Sequence, residues 1–389
     1  MSLPEGWREI LYRDMIDIVI DNRGKNPKSY SELGIPVIDN FLISNERKIN
    51  LSDVKRFIDD ETYSNFLRKY IEPNDVLMTL VGNGYGNVAL APIVKSAIIQ
   101  NTIGMRCNKD NDNIFLYYLF LYSKKQIVKL DIGAAQPSIK VGSLLALNCN
   151  VPPLQEQKAI ANILSSFDEK IELLKEQNET LEQMAQGVFR EWFVDEVDES
   201  WEDGVLSDEF KITMGQSPKG DTYNENDDGM VFYQGRAEFQ NRFPKKRLCT
   251  TEPKRLAEKF DVLMSVRAPV GDINVASEQC CIGRGLSAIN SEYKSYMLYK
   301  MKSLKKQFDM FESEGTVFGS INKTSLENLE VLIPPIELVE KYNLFAIPID
   351  SKIYNNTTQI QTLQKTRDTL LPKLMSGEVR VGGDCHRTD

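Results

Sequence analysis

Near-identical words recur along this chain in the same order and at a nearly constant distance. Asn74-Asp75-Val76-Leu77-Met78-Thr79 returns as Phe260-Asp261-Val262-Leu263-Met264-Ser265, and Gly86-Asn87-Val88 returns as Gly271-Asp272-Ile273. Ser138-Ile139 is answered by Ser320-Ile321, and Val151-Pro152-Pro153-Leu154 by Ile333-Pro334-Pro335-Ile336. Asp75 and Asp261 stand 186 residues apart, and the two Pro-Pro turns 182 apart, so the second copy carries a few deletions. A duplicated chain must fold as two versions of one plan. Each version is a globular part, then a Pro-Pro turn, then a helical stretch. The expected division of the 389 residues is 1–150, 151–197, 198–332 and 333–380, with 381–389 a disordered tail.

After each Pro-Pro the apolar period changes to steps of three and four. Ile160, Leu164, Phe167, Ile171, Leu174, Asn178, Leu181, Ala185, Val188 and Trp192 form one such seam. Tyr342, Ala346, Ile349, Ile353, Asn356, Ile360, Leu363, Arg367, Leu370 and Leu374 form the other. Seams of this period belong to coiled coils and must be buried, so the two helices are expected to pair with each other. A whole domain lies between them in sequence, and an antiparallel pair puts one domain at each end. Full overlap sets Ile160 opposite Leu374. The same register puts Leu174 against Ile360, Ile171 against Leu363, Leu181 against Ile353, and Asn178 against Asn356. Arg367 then falls beside Phe167, with its guanidinium stacked on the ring. Pro348 is expected to bend or begin the second helix, and Ser376-Gly377 to close it.

The globular parts read as mixed strands and short helices, an α+β class. Val76–Val81 and Val262–Val266 look like buried strands, and 114–130 and 293–310 like helices. Hydrophobic residues make up 41% and charged residues 26%, which excludes collagen-like and wholly disordered classes. No apolar run approaches the ~20 residues of a membrane-spanning helix, and the start lacks the pattern of a signal peptide. The six cysteines form no Cys-x-x-Cys pair and the one histidine is His386, so no metal site is expected and a reducing cytoplasm is the natural reading. Net charge is −9, against the usual basic balance of DNA binders. Residues 1–150, however, hold 18 Lys+Arg against 17 Asp+Glu, while 151–197 hold 4 against 10. Much of the acidity therefore lies on one helix.

Catalytic words are absent. Gly82-Asn83-Gly84-Tyr85-Gly86 reads as a hairpin turn and lacks a following helix, and there is no P-loop. The Pro-Pro words carry no amide to hold a base. Asp59-Asp60 and Asp227-Asp228 read as solvated loops. What remains are polar, basic turns: Asn22, Arg23 and Lys25; Gln216, Ser217 and Lys219; Gln234 and Arg236; Arg242, Lys245 and Lys246; and Arg267. Arg, Asn and Gln read base edges, and Lys neutralises phosphate, so these are the candidate DNA-binding residues. The residues alone leave open a DNA-reading subunit of a solitary methyltransferase system and a coiled-coil adaptor without a DNA role.

Longer words narrow this. Leu3-Pro4-Glu5-Gly6-Trp7 opens the chain, and Val151-Pro152-Pro153-Leu154-Gln155-Glu156-Gln157 opens the first long helix. Leu370-Leu371-Pro372-Lys373-Leu374-Met375-Ser376-Gly377-Glu378 ends the second. With Asp21–Lys25 and Met214–Pro218, these resemble the specificity subunit of type I restriction–modification systems over residues 3–380. One departure is Ile336-Glu337-Leu338-Val339, where Leu-x-Glu-Gln is the pattern, so the second helix is open to starting differently. The resemblance implies two target-recognition domains, one per half of a split double-stranded DNA site. It implies paired helices that act as a spacer and dock two DNA methyltransferase subunits. Leu164, Phe167, Ile171, Leu174, Asn178, Leu181, Ile353, Asn356, Ile360, Leu363 and Leu370 would make that pairing. S-adenosylmethionine, ATP and magnesium would belong to the methyltransferase and restriction/translocase partners, and the chain itself would be no enzyme.

Overall fold

In the computed structural model the described residues are 3–132, 136–199, 201–313 and 319–381. They form two compact units, Met1–Leu173 with Ile360–Asp389, and Leu174–Gln359. The expected tail, beyond residue 381, lies outside the described residues.

The first unit holds β1 (Arg8–Leu11), α1 (Tyr12–Met15), β2 (Ile16–Ile20), β3 (Ile35–Pro36), β4 (Phe57–Ile58), β5 (Val76–Thr79), β6 (Val88–Leu90) and β7 (Thr102–Cys107). It continues with α2 (Asn113–Ile127), α3 (Val141–Leu145), β8 (Asn148–Val151) and the start of α4 (Leu154–Arg190). The main sheet has the order β2-β7-β5-β6, while β1 pairs with β8 and β3 with β4. Strand β5 opens on the apolar run Val76-Leu77-Met78 and is buried throughout because both its faces are covered. Val76 and Met78 join the core of α2 and the first turns of α4, whereas Leu77 joins a second cluster with Ile38, Ile43 and Ala89. Helix α2 starts where it does because the Asp112 carboxylate accepts from the Phe115 amide at 2.8 Å.

The second unit takes up α4 and adds β9 (Glu202–Val205), α5 (Leu206–Glu209), β10 (Lys211–Met214), β11 (Tyr223–Asn224), β12 (Met230–Tyr233), β13 (Leu248–Thr250) and β14 (Leu256–Ala257). Then come β15 (Val262–Ser265), β16 (Ile273–Val275), β17 (Cys280–Ile282), β18 (Leu286–Asn290), α6 (Lys294–Ser303), α7 (Lys305–Ser313), α8 (Lys323–Glu327), β19 (Glu330–Ile333) and α9 (Ile336–Met375). Its main sheet, β10-β18-β15-β16, repeats the strand order of the first, and β9–β19 repeats β1–β8. The duplication read from short words is thus a duplication of topology. The copies diverge in the second sheet, which is the pair β3–β4 in one unit and the five strands β11-β13-β12-β17-β14 in the other.

Two expectations change and one open point is decided. Helix α9 starts at Ile336 and runs unbroken past Pro348. Proline kinks or breaks a helix interior in isolation, and here the flanking Ala346, Ile349 and Ile353 are held in the core of the unit. The departure at Ile336–Val339 does not delay the helix, since the Pro335 carbonyl accepts from the Leu338 and Val339 amides at 3.0 and 3.2 Å. The helix expected over 293–310 is two, α6 and α7, with Leu304 between them.

Within each unit the segments of α4 and α9 pair antiparallel. In the second, Asn356 Nδ2 donates to Asn178 Oδ1 at 2.8 Å and to Gln177 Oε1 at 2.8 Å, and Tyr342 donates to the Ala185 carbonyl at 2.9 Å. The expected asparagine pair is therefore present, with Asn356 only 1% exposed. In the first, Ile160 and Leu164 share a core with Leu370, Leu371 and Leu374. There Arg367 does not stack on Phe167. It forms an ion pair with the neighbouring Asp168, because a nearly buried carboxylate attracts the guanidinium more strongly than a ring does. Leu164, Ile171, Leu174, Ile353 and Ile360 are buried, whereas Phe167, Leu181, Leu363 and Leu370 are half-buried.

Candidate nucleic-acid interface

In the second unit four chain segments meet at the ends of β10, β12, β15 and the β17–β18 turn. The Gln216 amide donates to the Ile282 carbonyl at 2.9 Å, and Gly283 donates to Tyr233 at 2.8 Å. Gly285 donates to Gln234 at 3.2 Å, and Val266 to Gly285 at 3.0 Å. The approach is close enough to require glycine. A Cβ at Gly215 would collide with the Gly283 carbonyl, and one at Gly283 or Gly285 would come within 2.9 Å of Gln234. Turns far apart in sequence are thereby gathered, so that Gln216, Gln234 and Arg267 emerge as exposed side chains from adjoining segments. Ser217 is half-buried and its Oγ accepts from the Arg284 amide at 3.2 Å. Lys219 lies exposed beyond it. Arg284 itself is exposed in the same cluster and escaped the sequence reading, although its Gly283-Arg284-Gly285 setting after a strand marks a tight turn with a cation at its tip.

Not every predicted residue is free in this way. Arg236 is paired with Asp272, and Lys246 with Asp227 at 3.1 Å. Lys245 is exposed beside Lys246. Arg242 is a correction: its side chain is 8% exposed and is held by Glu182 of α4 and Asp350 of α9, the latter at 2.5 Å. It also donates to Tyr299 Oη at 3.2 Å, and Lys302 closes on Glu182. A fork buried between two carboxylates ties the loop to both helices and has no reach to a ligand.

The first unit presents a smaller version. Asn22 is also a correction, being 1% exposed. Its amide donates to the Lys69 and Ile98 carbonyls at 2.8 and 3.1 Å and accepts from the Arg68 and Lys69 backbone at 3.0 and 3.1 Å. It staples the loop and reads nothing. Arg23 is half-buried and paired with Asp21 at 2.6 Å, which holds the Asp21 carboxyl below its ordinary range. Lys25 sits 4.9 Å from the centre of the Phe66 ring. Gln100, also missed in the sequence, donates to Asn26 Oδ1 at 2.6 Å. An arginine clamp recurs too: Arg47 pairs with Glu169 and Glu172 of α4 at 2.9 and 3.7 Å. Its carbonyl accepts from Leu90, as that of Arg242 accepts from Val275, so the two arginines occupy equivalent places.

A family profile described as the type I restriction modification DNA specificity domain matches residues 4–183 and 198–363, one match for each copy of the repeat. The chain belongs to that family. Its curated relatives are named as specificity subunits, the non-catalytic component of their systems. The chain is 30% identical to a protein of Methanocaldococcus jannaschii named for the specificity subunit of the MjaX type I restriction enzyme, over 98% of this chain and 95% of that one. It is 26% identical to the MjaIX specificity subunit of the same organism, with the same coverage. The crystal structure of a type I restriction–modification S subunit from M. genitalium shares the fold at a TM-score of 0.66 and 19% identity, over 96% of this chain and 98% of that one. Among the described residues no helix is long and apolar enough to cross a membrane.

Proposed function

We propose that this specificity chain reads a bipartite double-stranded DNA site, one half through each duplicated unit. The observation that carries the reading is the repetition itself: one sheet order twice over, each copy matched by the same DNA specificity profile, with different polar turns at the strand ends. Shared scaffold with divergent turns is what reading two different short sequences requires. In this reading two DNA methyltransferase subunits dock on the paired helices, and restriction/translocase subunits join through them. S-adenosylmethionine, ATP and magnesium reside on those partners. The setting is the cytoplasm, where the DNA is. A net charge of −9 is tolerable when partner subunits close around the duplex and supply most phosphate contacts.

Co-expression with the partner methyltransferase, followed by mapping of methylated adenines, tests this. A split motif is the expected result. Binding to random-site duplexes separates the adaptor alternative, which predicts no binding even with partners added.

A further inference from the structure

Two backbone registers identify the same point of the scaffold in each unit. The Val266 amide donates to the Gly285 carbonyl at 3.0 Å, and the Leu80 amide to the Asn101 carbonyl at 2.7 Å. Each bond joins the end of the central strand to the residue that precedes β18 or β7. Cys281 pairs in parallel with Phe232, and Ala97 with Val37. Arg284 is three residues after Cys281, and Gln100 is three after Ala97. Both registers therefore superpose Arg284 on Gln100, one guanidinium and one carboxamide at a single place.

A cation in one copy and an uncharged carboxamide in the other fit base contact better than phosphate contact at this place. Arg284 is exposed and has no carboxylate partner among the described residues, whereas Arg236 and Arg247 are held by Asp272 and Glu238. Its flanking glycines lie against the Gln234 backbone, in the cluster of turns that carries the exposed Gln216. Gln100 is oriented by its bond to Asn26. Arg267 is also exposed, but its counterpart is Val81, since Arg267 bridges Ser320 as Val81 bridges Ser138. The Arg267 position is thus not polar in both copies. A guanidinium fork matches O6 and N7 of guanine, and a glutamine amide matches N6 and N7 of adenine.

We propose that Arg284 and Gln100 are equivalent base-reading residues, Arg284 specifying a G·C pair in the half-site of the second unit and Gln100 an A·T pair in that of the first. The proposal rests on the bipartite DNA reading above. Its test uses the full chain with its methyltransferase partner, in cells otherwise free of adenine methylation. Methylated adenines are mapped for the native chain, R284Q, Q100R and the double variant. R284Q should turn one G·C pair of one half-site into A·T or make it degenerate. Q100R should do the reverse at one pair of the other half, and the double variant should show both changes. Purified R284Q complex should bind the native duplex about 10- to 100-fold more weakly, with random-sequence affinity unchanged. If R284Q does not fold, R284K serves, since it keeps the charge and loses the fork; it should relax the same single pair. An unchanged motif in both variants overturns the proposal. So does a change in both halves from one substitution, or an equal loss on cognate and random DNA. A native complex with no defined motif overturns the underlying DNA reading instead.

Discussion

Arginines with the same net charge do different work here, and burial decides which. Arg242 lies between Glu182 and Asp350, so Arg242→Ala leaves Asp350 without the Arg242 cation and Glu182 with Lys302 alone, both half-buried. Breaking such a pair by removing one partner costs about 3–5 kcal/mol, which denaturant unfolding of the variant should register. Arg267→Ala, at an exposed turn, should change stability by less than about 0.5 kcal/mol. It should instead weaken DNA binding. Glu182 gives the clamp a pH dependence. Burial pushes its pKa up, but Arg242 and Lys302 more than offset that and leave it below the ordinary 4.5. A depressed carboxylate stabilises the fold above the unfolded value and loses that contribution as pH falls through the folded one. Stability should therefore decline more steeply below about pH 4.5 in the native chain than in Glu182→Gln, as read by thermal melting across pH 3–6.

The long helices are held by apolar packing and given their register by amides. Leu164 is fully buried, and Leu164→Ala should cost about 2–5 kcal/mol. Asn356 donates to Asn178 and to the exposed Gln177, so Asn356→Ala leaves the half-buried Asn178 carbonyl without its partner and should cost about 0.5–1.5 kcal/mol. Replacing both Asn178 and Asn356 by Leu removes the polar groups as a pair and should restore stability while loosening register. A cysteine pair at Leu181 and Ile353, which share the core of the second unit, would report this. Its cross-linking yield should fall in the double-Leu background and stay high in the native one.

At the level of the whole molecule, duplication predicts modularity. Residues 198–332 carry the divergent second sheet and its turns, so exchanging them for the matching segment of another specificity subunit should alter one half of the methylated site and leave the other. Alteration of both halves would contradict the one-unit, one-half reading. Exposed lysines such as Lys219 and Lys245 should act without regard to sequence. Substituting either with alanine should lower affinity for all duplexes alike and flatten the salt slope by about 1 if it meets a phosphate.

Repetition and periodicity were legible because they are properties of order along the chain. Offsets near 182 announced two copies, and three-four spacing announced the helices, down to Asn178 facing Asn356. Local chemistry also placed the hairpin at Gly82–Gly86 and the cap at Gly377, whose φ of +73° favours glycine. What the tertiary structure alone decided was access. Asn22 and Arg242 have the composition and turn context of DNA readers, yet one staples a loop and the other a helix pair. Arg284 and Gln100, outside the polar turns that the sequence singles out, come out at equivalent strand ends. Propensity and motif describe a residue's neighbours in sequence, whereas exposure depends on which distant segments close over it. Pro348 shows the same division, since local sterics favour a break there and burial of the surrounding helix prevents it.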